Sequence, residues 1–310
     1  MTREKRYNSY VGYFKKVYGE RLQKVVVDGG FTCPNRDGSI STGGCTYCDN
    51  AAFHPGYSTS DIPINVQIEE GIKFHKVRYR NAGKFLAYFQ PYSNTYAPLE
   101  RLKTLYEEAL SHPQVAGIVI GTRPDCVDEQ KLDYLAELAK NHIVIVEYGI
   151  ESCYDKTLKR INRGHTFEQA RVALEMTAQR GLRQGAHFIF GLPGESVEDM
   201  IESASIINTL PLHSVKFHQL QIVRGTAMEK EFEEHREDFV TFTLEEYLDF
   251  FVSFLEKLRP DIYIERFAGE VPPRFLNTIP WGLIRNVELV RLLEKRLEEL
   301  DTWQGRLLER

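Results

Sequence analysis

Three cysteines lie close together in the chain and could hold a metal centre. The eleven residues between Cys33 and Cys45 are rich in Gly, Ser, Asn and Asp, and two residues separate Cys45 from Cys48. The short spacing lets two sulfurs face one centre, and the polar spacer lets Cys33 fold back onto it. A zinc site would need a fourth Cys or a His, whereas an iron–sulfur cluster with three protein thiolates keeps one iron open for a ligand.

The other candidate ligands do not share this spacing. Cys126 and Cys153 are isolated, and an odd total of five cysteines fits a reduced compartment and a metal site better than a disulfide framework. His54 could be a fourth ligand, but nothing fixes its spacing from the cysteines, so a surface-loop position is favoured. The sequence therefore leaves both zinc and an iron–sulfur cluster open.

Composition limits the partners and the location. The net charge of -5 gives no overall electrostatic attraction to nucleic acid, so we expect no DNA partner, and an RNA partner would need a local basic surface. The amino terminus is polar, and no apolar run approaches the ~18 residues of a membrane span. We therefore expect a cytoplasmic protein with no membrane partner.

Short apolar runs alternate with segments of helical periodicity, which predicts a parallel α/β sheet. Six runs are fewer than the eight of a closed barrel, so we predict a partial (β/α)6 barrel. The runs lie at residues 24–28, 85–89, 117–120, 143–148, 186–190 and 215–222, and helical patterns lie at 99–110, 129–139, 167–180 and 197–210.

The segments that follow these runs carry most of the polar motifs. The third run ends in Thr-Arg-Pro-Asp at 122–125, and the fourth leads through Gly-Ile-Glu-Ser at 149–152 to Asn-Arg-Gly-His at 162–165. The fifth ends in Gly-Leu-Pro-Gly-Glu at 191–195. In parallel sheets ligands collect at the carboxyl ends of the strands, so these segments should meet the cysteine loop.

Together with the cysteines, these motifs resemble the radical SAM superfamily, in particular the group of the Elongator catalytic subunit and the oxygen-independent coproporphyrinogen oxidases. The CX11CX2C spacing departs from the commoner CX3CX2C pattern. The resemblance implies a [4Fe-4S] cluster held by Cys33, Cys45 and Cys48. It also implies S-adenosyl-L-methionine at the open iron, cleaved to a 5′-deoxyadenosyl radical, with an electron donor such as flavodoxin or ferredoxin.

The resemblance also implies roles in binding S-adenosylmethionine. Arg163 would pair with its carboxylate, Glu151 with the neighbouring Ser152 would bind the ribose hydroxyls, and Tyr47 would lie beside the adenine. Gln90 would accept from the methionine amino group. On the sixth strand Gln219 would face the barrel interior with Gln221, while His218 would lie on the opposite face.

The resemblance suggests a substrate as well, the wobble uridine of tRNA, remodelled at C5 from a carboxymethylaminomethyl to an aminomethyl type. Arg123 and Arg224 are candidate partners for a substrate carboxylate, and Asp125 for another substrate group. The amino-terminal basic residues, Arg266 and Arg274 are candidate phosphate contacts, and Tyr92, Tyr96 and Trp281 are candidates for base stacking.

We expect an amino-terminal helix in residues 1–23, the partial barrel in 24–230 and a small C-terminal α/β extension in 231–310. Two alternatives stay open: radical chemistry on a porphyrin-like or other small molecule, and a zinc-stabilised RNA-binding module without catalysis. Metal and sulfide analysis separates the zinc alternative from both radical alternatives.

Overall fold

The computed structural model describes residues 5–52, 55–78, 83–278, 281 and 284–308. The strands are β1 (Gln23–Val27), β2 (Phe85–Phe89), β3 (Val115–Thr122), β4 (Ile143–Glu151), β5 (Arg183–Phe190), β6 (Ser214–Gln219) and β7 (Tyr263–Arg266). The helices are α1 (Tyr10–Tyr18), α2 (Ile64–Arg78), α3 (Leu99–Ser111), α4 (Glu129–Leu138), α5 (Asp155–Arg160), α6 (Phe167–Gln179), α7 (Val197–Ile207), α8 (Ala227–Glu234), α9 (Leu244–Lys257) and α10 (Asn286–Glu299).

The seven strands form one parallel sheet in chain order, curled into a half-barrel. This confirms the predicted partial barrel and adds one strand to it. β7 comes from the range predicted as a C-terminal extension, and it pairs in parallel with β6. The carboxyl ends of strands far apart in the chain therefore meet at one edge of the sheet.

Apolar side chains cover both faces of the sheet. The outward side chains, among them Val25, Phe85 and Phe217, pack beneath the surrounding helices. On the concave face, Tyr10 and Phe14 of α1 pack against residues near the amino ends of the strands. Helix α1 therefore fills the lower part of the half-barrel, away from the edge where the strands end. No described helix has the length and apolar character needed to cross a membrane.

Hydroxyl caps fix where the helices start after the strand-end loops. Thr166, Ser196 and Thr243 each accept a hydrogen bond from the third residue of the following helix, whose side chain returns a bond to the cap backbone. Such reciprocal bonds satisfy amides that would otherwise lack partners. The loops that precede these helices are thereby held in place above the barrel.

Candidate active site

A cavity of about 250 Å³ opens where the strands end. Most of the residues predicted to have functional roles line it, together with several that were not predicted. Ser152, Asp125 and Arg224 do not line it. The predicted residues in its wall are Cys33, Cys45, Cys48, Tyr47, Gln90, Tyr92, Arg123, Glu151, Arg163, Gln219, Gln221 and Arg266.

The cysteine loop is fastened to the segment that carries Arg163. Asn35 is fully buried, and its Nδ2 donates to the carbonyl oxygens of Asn162 and Arg163 at 2.6 and 3.0 Å and lies 3.5 Å from the Cys45 sulfur. In return, Asn162 Nδ2 donates to the Gly44 carbonyl at 2.7 Å. Paired side-chain amides therefore join two sequence motifs that are far apart in the chain.

Guanidinium groups lie beside the cysteines. Arg163 Nη1 is 3.5 Å from the sulfur of Cys45, and Arg123 Nη1 is 4.0 Å from that of Cys33. Burial raises the pKa of the Cys48 thiol, while the nearby Cys45 adds to that rise and Arg36 opposes it. Positive charges at these positions would compensate thiolates, which are the form that binds metal.

Arg163 and Glu151 form a buried ion pair in the cavity wall, with Nη2 3.5 Å from Oε1. Glu151 has a φ of 75°, and the register between β4 and β5 shifts there. The Nε of Arg163 is buried and has no hydrogen-bond partner among the described residues. The pair thus offers a carboxylate acceptor and a spare guanidinium donor to a ligand in the cavity.

Comparison with known proteins agrees with this arrangement. A family model described as Radical SAM superfamily matches residues 36–207, more than half of the chain. The chain belongs to the radical SAM superfamily. A second model, the Radical_SAM C-terminal domain, matches residues 212–299 of this radical SAM protein.

Individual relatives extend the likeness. YtqA of Bacillus subtilis (strain 168) is 33% identical over 99% of this chain and 94% of its own length. A tRNA uridine(34) acetyltransferase of Methanocaldococcus infernus is 28% identical over 56% of this chain and 32% of its own length. The structure of M. infernus Elp3 with an N-terminal deletion has a TM-score of 0.69 at 17% identity, and the match covers 91% of this chain and 64% of that one. The Elp3 likeness shows a shared fold.

The cavity suits the two cofactors that the superfamily implies, a [4Fe-4S] cluster and S-adenosylmethionine. Three sulfurs with guanidinium neighbours suit a cluster, and the spare Nε of Arg163 suits the carboxylate of the second cofactor. Within the described part of the chain, no three Cys, His, Asp or Glu side chains converge on one ion. A [4Fe-4S] cluster takes each thiolate on a different iron, so convergence on one ion is not required. His54 lies outside the described residues.

Several predicted contacts of this radical SAM protein are already engaged with protein groups. Arg123 donates to both carboxylate oxygens of Asp125, at 2.9 and 2.8 Å. Gln219 exchanges hydrogen bonds with the backbone of Gly269. Ser152 donates to Glu195, whose pKa is raised by burial despite that bond. These bonds give the three predicted side chains defined structural partners, and their predicted ligand roles stay predictions.

The remaining predicted contacts are not part of the cavity wall. Arg224 and Arg274 are exposed, and Arg274 lies over the Phe275 ring. Tyr96 bonds to Ser39 through its hydroxyl, and Trp281 packs on Tyr247 and donates to the carbonyl of Phe242. The basic residues of α1 belong to the helix that packs at the opposite end of the strands.

One prediction about side-chain direction is wrong. His218 lines the cavity instead of facing away from it. The strand ends at Gln219, and Lys216 with His218 alternates onto the concave face, while Phe217 points outward into the main core. Burial, followed by the charge of Arg266, holds the pKa of His218 well below its ordinary value, so the ring is neutral at pH 7.

A charged network in the cavity floor was not predicted. The carboxylate of Glu147 is fully buried; it contacts Lys24, and its Oε2 lies 2.9 Å from both Lys216 Nζ and His187 Nε2. Glu265 completes the network, 2.5 Å from Lys24 and 3.2 Å from Lys216. Burial alone would raise the pKa of Glu147, but the lysine charges outweigh it and hold the pKa well below its ordinary value.

A signal for this network exists in the sequence. Each of the strands β1, β4, β6 and β7 carries a charged residue next to apolar or β-branched residues, namely Lys24, Glu147, Lys216 and Glu265. A charged residue at a strand centre is rarely buried without a partner, so acidic and basic residues in such positions indicate pairing across the barrel.

Proposed function

We propose that this radical SAM protein remodels the C5 substituent of the tRNA wobble uridine, from the carboxymethylaminomethyl to the aminomethyl type. The observation that carries the proposal is that the three cysteines and the Arg163–Glu151 pair share one cavity with an uncommitted cationic side chain, Arg266. We assign the cysteines and the Arg163–Glu151 pair to the cofactors and Arg266 to an anionic group of the substrate.

The residues of the chain have distinct tasks in this proposal. Cys33, Cys45 and Cys48 hold the cluster, and Arg163 with Glu151 holds the carboxylate and ribose of S-adenosylmethionine. A cluster bound there would supply the electron that starts the reductive cleavage of S-adenosylmethionine. Tyr47 and the buried wall beside it exclude water from that end of the cavity.

Overall, the CH2 group between the nitrogen and the carboxylate of the substituent would be oxidised by two electrons at the expense of S-adenosylmethionine, which would end as methionine and 5′-deoxyadenosine. Water would then break the bond between this carbon and the nitrogen, leaving the aminomethyl group and releasing the two carbons as glyoxylate.

Two observations support an RNA substrate. The M. infernus relative is named as an acetyltransferase of uridine 34 of tRNA, and it aligns with 56% of this chain. The cavity is too small for an RNA helix, so the target base would have to leave the anticodon stack to approach it. Tyr92 lines the opening with 39% of its surface exposed, and an exposed ring at that position can stack on a base.

The experiment uses the anaerobically reconstituted protein with S-adenosylmethionine, reduced flavodoxin or ferredoxin, and tRNA that carries carboxymethylaminomethyluridine. Nucleoside mass spectrometry should show an aminomethyl product together with 5′-deoxyadenosine, and tRNA with an unmodified wobble uridine serves as the control. Cells that lack the protein should accumulate the carboxymethylaminomethyl form. An unchanged wobble-uridine profile in those cells would contradict the proposed substrate.

A further inference from the structure

Arg266 is a cationic side chain in the cavity, and it has no acidic partner in the part of the chain that the structure describes. It ends β7 and lines the cavity, and its buried Nε has no hydrogen-bond partner among the described residues. The cysteine loop follows β1, at the other end of the strand order. This guanidinium and the predicted cluster ligands thus come from opposite ends of the strand order and line the same cavity.

A register shift brings Arg266 to the concave face. Val215 pairs with Ile264 and Lys216 pairs with Arg266, so Glu265 is passed over in the ladder. Such a bulge places two neighbouring residues opposite one and re-aims a side chain. Glu265 can therefore reach Lys24 and Lys216, while the adjacent Arg266 also borders the cavity.

Most of the other charged side chains around the cavity have a partner of opposite charge, and Arg36 instead donates to the carbonyl oxygen of Cys48 at 2.8 Å. Glu147 and Glu265 are balanced by Lys24 and Lys216. Asp125 is matched by Arg123, and Glu151 by Arg163. These pairs leave the charge of Arg266 uncompensated at its end of the cavity, where a bound anion would gain most.

Neutral polar groups border this guanidinium. His218, neutral at pH 7, and Gln221 line the same part of the cavity wall, next to Gly269. A Cβ at position 269 would lie 3.0 Å from His218 Nδ1, so glycine allows the backbone to approach the ring closely. Hydrogen-bonding groups beside a cation suit a flat anion with two oxygens, as in a carboxylate.

We propose that Arg266, with His218 and Gln221, forms a carboxylate-binding subsite that recognises the carboxymethyl group of the substrate. This inference rests on the proposed function and names the residues that read the substrate's acidic group. It assigns to Arg266 the role that the sequence suggested for Arg123, whose guanidinium is committed to Asp125. A guanidinium is suited to the task because it can donate two parallel hydrogen bonds to one carboxylate.

Binding measurements test the subsite apart from turnover. Anticodon stem-loop RNAs carry carboxymethylaminomethyluridine, its carboxamide analogue or unmodified uridine, and fluorescence anisotropy gives their dissociation constants for the reconstituted protein. We expect the acid to bind the wild-type protein roughly 10- to 100-fold more tightly than the amide, as for hydrogen bonds to a charged group. Arg266→Gln should remove that preference, and Arg266→Lys should retain part of it.

Arg291→Gln is the matched control, because Arg291 is exposed on α10 and pairs with Glu288. It should leave the preference unchanged. Iron content and melting temperature show whether Arg266→Gln is folded, and the acid-to-amide comparison on wild-type protein needs no variant. Equal affinity for acid and amide, or no binding of either RNA, would overturn the subsite. If the protein prefers the acid but does not convert the tRNA, the proposed function fails and the subsite stands. If the protein converts the tRNA without preferring the acid, the subsite fails and the proposed function stands.

Discussion

Arg163 and Glu151 meet in the cavity wall although helix α5 separates them in the chain. Their side chains are 3.5 Å apart, and both are nearly buried. The carbonyl oxygen of Gly149 accepts from Arg163 Nη2 and lies 3.3 Å from His165 Nε2. Burial and the charge of Arg163 lower the pKa of His165 to about 3, so a neutral ring packs beside the guanidinium. The backbone at Gly149 thus positions the pair.

Gly149→Ala tests this positioning. An added Cβ would lie 2.5 Å from Glu151 Oε1 and 2.7 Å from Arg163 Nη2, so both side chains would have to move. We expect kcat/KM for S-adenosylmethionine cleavage to fall about 10- to 100-fold, because small displacements of positioning groups are costly. Iron content should be unchanged, since the cysteines are not displaced.

Gly43→Ala is the control for this substitution. Gly43 lies inside the cysteine loop, where an added Cβ meets nothing within 4 Å. Its cleavage rate should match that of the wild-type protein. Equal losses in both variants would show that the loop, and not the Arg163–Glu151 pair, is sensitive to added methyl groups.

Replacement of single cysteines by alanine tests the cluster ligands. Cys33→Ala, Cys45→Ala and Cys48→Ala should each abolish S-adenosylmethionine cleavage and the iron–sulfur absorbance, because three thiolates are the fewest that hold such a cluster with one open iron. Cys126 and Cys153 are buried thiols outside the cavity, and burial raises the pKa of Cys126 to about 11. Their alanine variants should keep iron and activity. Cleavage by any variant of the first group would contradict the assignment.

The strands could be predicted because apolar and β-branched runs of strand length are separated by helical periods. β2 has the predicted bounds, and the other predicted strands differ from the structure only near their ends. The join between the cysteine loop and the Arg163 segment could be located only through family motifs. The side-chain amides of Asn35 and Asn162 make this join. Their contacts link segments that are far apart in the chain, and the hydrophobic periodicity of the sequence does not encode such contacts.

The pairing of the strands and the direction of their side chains were harder to predict than the positions of the helices and strands. A C-terminal α/β extension was expected, but the place of its strand β7 beside β6 depends on how the chain returns to the sheet. The direction of His218 was wrong because the alternation was counted from Gln219 and Gln221, and Gln221 lies beyond the end of β6. A bulge such as that at Glu265 also changes the phase, and no local sequence signal marks it.

The buried network supports a prediction about stability. Glu147→Gln would leave Lys216 and Lys24 with Glu265 as their one acidic partner among the residues that the structure describes. We expect the free energy of unfolding to fall by about 3 kcal/mol, since removal of one partner leaves buried charge uncompensated. Denaturant unfolding measures this loss. Glu175→Gln, which removes one of the two surface partners of Arg171, should cost less than about 1 kcal/mol, and similar losses in both variants would contradict a structural role for the network.

Acid should destabilise the fold through buried histidines, and His213 allows a test away from the cavity. Its ring packs against Tyr13 and Tyr263, with ring centroids 4.7 and 5.1 Å away, and burial followed by the charge of Arg183 lowers its pKa to about 4. Below about pH 6.5, His213 binds a proton in the unfolded chain but stays neutral in the folded protein. The free energy of unfolding therefore falls as the pH drops from 6.5 towards 4.

His213→Phe keeps an aromatic ring in this position and removes the titration. The loss of unfolding free energy between pH 8 and pH 5 should therefore be smaller than in the wild-type protein by about 2 kcal/mol. His142→Gln, at an exposed position, is the control and should leave the pH dependence unchanged. The phenylalanine variant differs from the wild-type protein in one buried titrating group. If both proteins show the same pH dependence of stability, His213 is protonated as readily in the folded state as in the unfolded chain.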